Sequence, residues 1–293
     1  MIYFYNTFHN GDVHYSRSFI RDIMNKINDN FCYLHNNNPN ILKDFPKLLH
    51  DKAFNSFENW NLITKYPITY YDQIIRDNDN LYINTWVGQQ NWLTKNGLDR
   101  NRDNRYCSLY SYYELFEDIY KDLSLQINNI DEYVPDIDFH YIEKNNINNF
   151  LFINKKFSKK VLLVNNEPRT VRIPIDFSTV AEKLSTKYPD VLFILTNKIN
   201  IRKENIAYTS DFIALDCDLN EISYLSTFCD IIIGRPSGPY CFCMIKDNFF
   251  NDKIFITISD NTYDRYYFTN NNILLSDHST DGVIEIIEKN IRI

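Results

Sequence analysis

The chain has 293 residues, with 31 Lys and Arg against 38 Asp and Glu, a formal net charge of −7. A chain of this size buries a large core and defaults to two domains, and its acidic balance argues against a protein that coats nucleic acid or an anionic membrane. It has no apolar run of about eighteen residues and no basic and apolar leader of the signal-peptide kind, so the expectation is a soluble, cytoplasmic protein. Six cysteines, Cys32, Cys107, Cys217, Cys229, Cys241 and Cys243, are scattered without a C-x-x-C pair, which points to reduced thiols rather than disulfides or a zinc site.

In chain order, "MIYFY" reads as an opening strand, and a helix is predicted from 16 to about 28. Between them, Gly11-Asp12 sits at the first turn. Gly there admits a positive φ or a close ligand. Asp12 is either a helix cap or a carboxylate able to take a proton from a sugar hydroxyl. His9 and His14 flank it, and each either shares or replaces that proton-accepting role or is structural. Further on, "LYINTWVGQQNWLTKNGLDRN" brings Trp86 and Trp92 among amides, an aromatic platform for a sugar or a packed core loop, with the core reading favoured. A helix is predicted over 111–128, with Tyr112, Leu115, Phe116, Ile119, Tyr120 and Leu123 on one face. The polar, aperiodic "DEYVPDIDFHYIEKNNINNF" then places a domain boundary near 150, giving domains 1–150 and 151–293.

The second half alternates apolar runs with amphipathic ones. "KKVLLVNN", "VLFILTN", "IALDCD", "DIIIG", "KIFITISD" and "NILLSD" read as strands. "IDFSTVAEKLSTKYPD", "NEISYLSTFC" and "TDGVIEIIEKNI" read as helices. Strands without alternation, interleaved with helices, indicate a parallel sheet buried on both faces, a Rossmann-like domain. No short-period repeat appears.

In open α/β sheets the ligand lies beyond the carboxyl ends of the strands. Asn10 to Asp12, Asn165 to Arg172, Asn197-Lys198 and Arg235 to Tyr240 are therefore the informative places. In "IIIGRPSGPY", Ser237 and Gly238 offer a hydroxyl and unhindered N–H groups where a helix begins, which is a phosphate site or a plain β-to-α turn. In "VNNEPRTVRIP", Arg169 and Arg172 form a diphosphate-neutralising pair or an ordinary solvated loop. The functional reading is favoured because both loops are expected on one edge of the sheet. Asp216-Cys217-Asp218 has the D-x-D form of a metal site, but it precedes a helix start, where capping is the favoured role.

Together, "NGDVHYSRSFIRDI" and "DLNEISYLSTFCDIIIGRPSGPY" resemble the heptosyltransferase-like glycosyltransferases of the GT-B fold. The likeness covers the first twenty or so residues and most of 160–260. It implies an α/β, GT-B-like architecture of two Rossmann-like domains facing a cleft, with the amino-terminal domain on the acceptor side and the carboxyl-terminal one holding the donor. The implied activity is inverting, metal-independent transfer of a sugar from a nucleotide-diphosphate sugar to a glycan or other hydroxyl acceptor, with no cofactor and no nucleic-acid partner. Asp12 matches the catalytic base, Ser237-Gly238-Pro239 the diphosphate turn and the Arg169 loop the basic loop. Arg172 and Arg235 join the donor set, while Gly11, His9, His14, Trp86 and Trp92 are candidate acceptor or loop contacts. Two positions depart from the pattern: Cys241 stands where the family often has His, and Arg235 where it is usually uncharged. The competing readings are a polysaccharide pyruvyl transferase, a sugar-nucleotide epimerase, and a binding protein without turnover. A dinucleotide dehydrogenase, a P-loop enzyme and a Ser-His-Asp hydrolase lack their motifs.

Overall fold

The computed structural model describes residues 1–6, 9–35, 39–50, 74–87, 109–168, 173–213, 219–251, 253–259 and 272–292. The chain divides into two compact α/β units, Met1–Asp136 and Ile137–Ile293. This division falls ahead of the boundary expected near 150, a position that lies inside helix α3 (Asn145–Ile153) of the second unit.

In the first unit, strands β1 (Ile2–Asn6), β2 (Phe31–His35), β3 (Leu48–His50), β4 (Ile74–Asp77) and β5 (Asn80–Asn84) form a five-stranded sheet in the order β3-β2-β1-β5-β4. All pairings are parallel except β4 with β5. That hairpin turns through Asn78, whose φ of 51° is one that Asn tolerates better than most residues.

Helix α1 spans Asn10–Lys26, starting ahead of the expected residue 16. Its apolar positions Val13, Phe19, Ile20 and Ile23 are fully buried, as are Tyr112, Leu115, Phe116 and Ile119 of α2 (Leu109–Asp122). Phe19 lies between two rings, stacked on Phe116 at 4.3 Å and on Tyr133 at 4.2 Å.

The segment after α2 is tied to α1 by polar contacts. Asp22 Oδ2 accepts from Tyr120 at 2.6 Å, Tyr133 at 3.0 Å and Lys26 at 2.7 Å. Burial alone would push the Asp22 carboxyl up, but these donors prevail and hold it below the ordinary value of 3.8. Ser18 Oγ donates to the Val134 carbonyl at 2.9 Å and accepts from the Asp136 N–H at 3.1 Å.

The second unit follows the expected alternation closely. Strands β6 (Lys159–Val164), β7 (Val191–Leu195), β8 (Ile206–Tyr208), β9 (Ile231–Gly234), β10 (Ile254–Ile258) and β11 (Asn272–Leu275) form a six-stranded sheet in the order β11-β10-β9-β6-β7-β8. Every pairing is parallel. The remaining helices are α4 (Phe177–Lys187), α5 (Leu219–Ser226), α6 (Gly238–Phe242), α7 (Lys246–Phe249) and α8 (Thr280–Ile291). Asp176 caps α4 by accepting from the N–H groups of Ser178 and Thr179, and Ser279 Oγ caps α8 by accepting from Gly282. Val180, Ala181 and Leu184 of α4 and Val283 and Ile287 of α8 share one core with β6, β7 and β9.

The strand expected at "IALDCD" lies, apart from Ile213, outside the described residues. The third strand in sequence is the short β8, and Ile213 lies in a bend.

The chain order fixes where ligands belong. From β6 the chain steps outward to β7 and β8, then returns to lay β9 against the other side of β6. The direction of winding therefore reverses between β6 and β9. In an open parallel sheet, the crevice at such a reversal, beyond the strand carboxyl ends, is the usual binding place.

Candidate functional site

At that reversal Val164 ends β6 beside Gly234, which ends β9, in paired register. The position tolerates no side chain. A Cβ on Gly234 would stand 2.8 Å from Val164 Cβ and 2.9 Å from Cδ2 of the Tyr240 ring. The Tyr240 side chain is fully buried and its hydroxyl bonds Thr257 Oγ1 at 2.8 Å. Gly234 thus lets the chain turn tightly from β9 into α6.

Ser237 is the N-cap residue of α6, in extended conformation, with Gly238 and Pro239 opening the helix. Its hydroxyl makes no capping bond; it is buried and has no hydrogen-bond partner among the described residues. Pro239 lacks an N–H, and the Cys241 N–H is spent on the Ser237 carbonyl at 2.9 Å. The first turn therefore offers the N–H groups of Gly238 and Tyr240 together with the Ser237 hydroxyl, a donor set suited to an anion. Cys241 is buried at 7% exposure.

Arg235 requires a correction. The sequence suggests a side chain reaching a diphosphate, yet Arg235 is only 3% exposed and its fork turns inward. One terminal nitrogen donates to the Ile173 carbonyl at 2.7 Å, and the other to the carbonyls of Asn165 at 3.0 Å and Asn166 at 2.9 Å. The guanidinium also lies 5.5 Å from the centre of the Phe177 ring. Arg235 is thus a clamp on both ends of the loop after β6. Arg169 and Arg172 belong to that loop and lie outside the described residues, as does Asp216-Cys217-Asp218.

The neighbouring strand end is laced to the same loop. Asn165 Oδ1 accepts from the Asn197 N–H at 2.7 Å, its amide donates to the Asn197 carbonyl at 3.0 Å, and Asn166 reaches Asn197 Oδ1 at 2.9 Å. Three of the four places singled out by sequence, those around Asn165, Asn197 and Arg235 to Tyr240, meet at one sheet edge.

The fourth lies in the first unit. Gly11 and Asp12 are in the first turn of α1, so Gly11 is helical rather than the hinge of a turn. Asp12 uses both carboxylate oxygens. Oδ2 accepts the His9 N–H at 3.3 Å, as a capping residue would, and Oδ1 accepts the Tyr112 hydroxyl at 2.8 Å. Burial raises the Asp12 carboxyl above its ordinary 3.8, against the opposing pull of Tyr112 and His9. Desolvation thus gives this carboxylate a higher proton affinity than an exposed one, while two donors fix its position.

Around it, strands β1, β2 and β5 end in the buried polar residues Asn6, His35 and Asn84, followed by Thr85. Tyr33 bonds both Ser16 at 3.2 Å and Thr85 at 2.7 Å. The polar residues closing "IYFYN", "FCYLH" and "NLYIN" are the signal that sequence reading passed over. Tyr112 was visible there only as part of an apolar stripe.

His14 and Trp86 are corrected as acceptor contacts. His14 is fully buried in α1 with its ring 6.0 Å from that of Tyr15, and Trp86 is 5% exposed, so both are core residues. Trp92 lies outside the described residues. Among the described residues no cluster of His, Cys, Asp and Glu is arranged to hold a metal ion, and no helix is long and apolar enough to cross a membrane.

No family model and no curated protein matches the chain in sequence. Solved structures do match in fold along its whole length. A glycosyl transferase family 9 protein from Veillonella parvula aligns over 100% of this chain and 89% of its own, at 12% identity and a TM-score of 0.56. The E. coli heptosyltransferase WaaC with ADP-2-deoxy-2-fluoro heptose aligns over 99% of both chains, at 13% identity and 0.53. The Methanocaldococcus jannaschii UDP-GlcNAc 2-epimerase, in complex with UDP-GlcNAc and UDP, aligns over 100% of this chain and 93% of its own, at 11% identity and 0.54. The chain therefore has the heptosyltransferase-like GT-B fold, built from two Rossmann-like units.

Proposed function

We propose that the protein is a glycosyltransferase that moves a sugar from a nucleotide-diphosphate sugar to a hydroxyl acceptor, with inversion and without a metal, in the cytoplasm. The observation that carries this reading is the anion-suited turn at the β6/β9 reversal, where a close-approach glycine, an unpartnered buried Ser237 hydroxyl and free helix N–H groups coincide. In this reading the second unit holds the donor. Its diphosphate meets the N–H groups of Gly238 and Tyr240, with Arg169 and Arg172 supplying charge from the loop that Arg235 clamps.

Asp12 then takes the proton of the acceptor hydroxyl. The acceptor oxygen forms its bond to the anomeric carbon as the bond to the diphosphate oxygen breaks, and the nucleoside diphosphate leaves with that electron pair. Fixed donors around the departing charge provide the main stabilisation. The acceptor is a glycan or glycoconjugate hydroxyl.

The likeness to the 2-epimerase favours a second reading, rearrangement of the sugar while it stays on the nucleotide. The product separates the two, a glycosidic linkage or an altered free nucleotide sugar.

The testing experiment is thermal unfolding with UDP-, GDP-, dTDP-, ADP- and CMP-sugars in turn. A ligand at a hundred times its dissociation constant adds about 2.7 kcal/mol to the fold that binds it. A rise with one of the four diphosphate classes is expected, whereas a rise with the CMP-sugar alone, which carries a monophosphate, counts against the diphosphate donor. Unchanged unfolding with all five sets the reading aside.

A further inference from the structure

Helix α3, "NNINNFLFI", carries no charged residue and is anchored at only a few points. Ile147 is buried, Phe150 stacks on Phe212 at 3.9 Å, and Asn148 Oδ1 accepts the Tyr224 hydroxyl at 3.0 Å. Its last turn faces the other way. Phe152 is 69% exposed and Ile153 is 73% exposed, so two large apolar side chains at the end of an uncharged helix stand in water. Single exposed apolar residues are ordinary, but an adjacent pair capping a helix forms a wedge.

The charge around this wedge runs against that of the whole molecule. Residues 144–160 hold Lys144, Lys155, Lys156, Lys159 and Lys160 and no Asp or Glu, in a chain of net charge −7. Lys155 places its ammonium 4.6 Å over the Phe152 ring, and Lys144 stands 5.8 Å over Tyr224. Lys159 donates to the Ile291 carbonyl and Lys156 pairs with the exposed Glu204, while Asp190 Oδ2 accepts from Ser158 Oγ at 2.9 Å and Asp230 Oδ2 from the Lys160 N–H at 2.8 Å, which leaves Lys155 as the lysine beside the wedge that stands over Phe152. Glu143 precedes the run.

We propose that the last turn of α3 docks on an anionic lipid bilayer. Phe152 and Ile153 enter the boundary between headgroups and acyl chains, while Lys155 and Lys156 remain at the level of the lipid phosphates. Apolar residues beside lysines are the combination that holds a surface helix in the membrane interface, and each lysine gains from the negative surface potential. A second copy of the chain fits the patch less well. A two-fold contact here would set lysines against lysines, and two side chains fall far short of the roughly 1,200 Å² that a stable interface buries. So small a wedge gives reversible attachment. The inference stands independently of the catalytic reading.

The test is co-sedimentation of the full chain with vesicles of phosphatidylcholine alone and of phosphatidylcholine mixed with phosphatidylglycerol. Wild type is expected on the mixed vesicles at least tenfold above the neutral ones. Phe152→Ser with Ile153→Ser should cut that partition about tenfold, and Lys155→Glu with Lys156→Glu should abolish the preference for anionic lipid, both with unchanged thermal unfolding. Failure of wild type to bind mixed vesicles overturns the proposal, as does binding that survives both double variants. Self-association lost in Phe152→Ser with Ile153→Ser, without vesicle binding, assigns the patch to a second copy and overturns it too.

Discussion

The Tyr112 hydroxyl donates to Asp12 Oδ1 at 2.8 Å, joining the first turns of two helices 100 positions apart in sequence. Of the forces that pull the Asp12 carboxyl downward, this bond is the foremost, and burial outweighs it. Tyr112→Phe should therefore raise that carboxyl further. A base must be ionised, so the acid limb of the pH–rate profile should move to higher pH, with activity near neutral pH falling about tenfold. An unmoved limb would remove Tyr112 from the role of positioning the base.

Asp12→Asn keeps an oxygen to accept the His9 N–H at the start of α1 but has no lone pair basic enough to take the acceptor proton. Transfer should fall by about a hundredfold or more, with unfolding little changed. Full activity in this variant excludes Asp12 as the base.

Arg235→Met leaves the carbonyls of Asn165, Asn166 and Ile173 without their shared donor in a buried place. A loss of about 3 kcal/mol in urea unfolding is expected, together with weaker nucleotide binding through the loosened loop. Arg235→Lys should recover little, because a single ammonium cannot span three carbonyls as the planar fork does. Wild-type stability in Arg235→Met would show that the clamp is dispensable.

Gly234→Ala pushes a methyl to within 3 Å of Val164 and the Tyr240 ring. Overpacking of this kind costs about 1–3 kcal/mol. Because the strain falls where β9 turns into α6, donor affinity should drop alongside stability, as titration calorimetry against the donor nucleotide would show.

Asp22 has a folded value depressed below 3.8, so its stabilising contribution is complete above that pH and is lost as pH falls through the folded value. Asp22→Asn should cost about 1 kcal/mol at neutral pH. The gap between wild type and variant should close in acid below 3.8. A gap that stays constant with pH would mean that the carboxylate's charge plays no part in the contact.

The legible part of this molecule is the part whose strands are covered on both faces. "VLLV", "VLFIL" and "FITI" announce themselves as unbroken apolar runs, and the polar residues after them mark the sheet edge where Asn165, Asn197 and Ser237 meet. In the first unit, β3 has three residues and β4 four, too few for a period to emerge, and in the second unit α3 buries Ile147 without a continuous stripe. Asp12 could be read because a carboxylate beside Gly interrupts the pattern. Tyr112 could not, since its ring packs like any core aromatic and only its hydroxyl reaches Asp12. Arg235 misled for a related reason: a guanidinium at a strand end looks alike whether it points out to a ligand or back into its own loop, and burial alone decides.

The tie between α1 and the segment ending at Asp136 bears on the order of events as the chain emerges from a ribosome. Phe19 and Asp22 are made early, but Tyr133, which covers the one and bonds the other, arrives 111 positions after Asp22. Phe116 and Tyr120 of α2, which touch the same two residues, also come about a hundred positions late, so until this stretch is made one face of the first helix has no lasting partner, and such long-range closure is intrinsically slow. The amino-terminal half therefore matures only once its last segment has been synthesised, and its earliest helix is the part that most needs protection while translation proceeds.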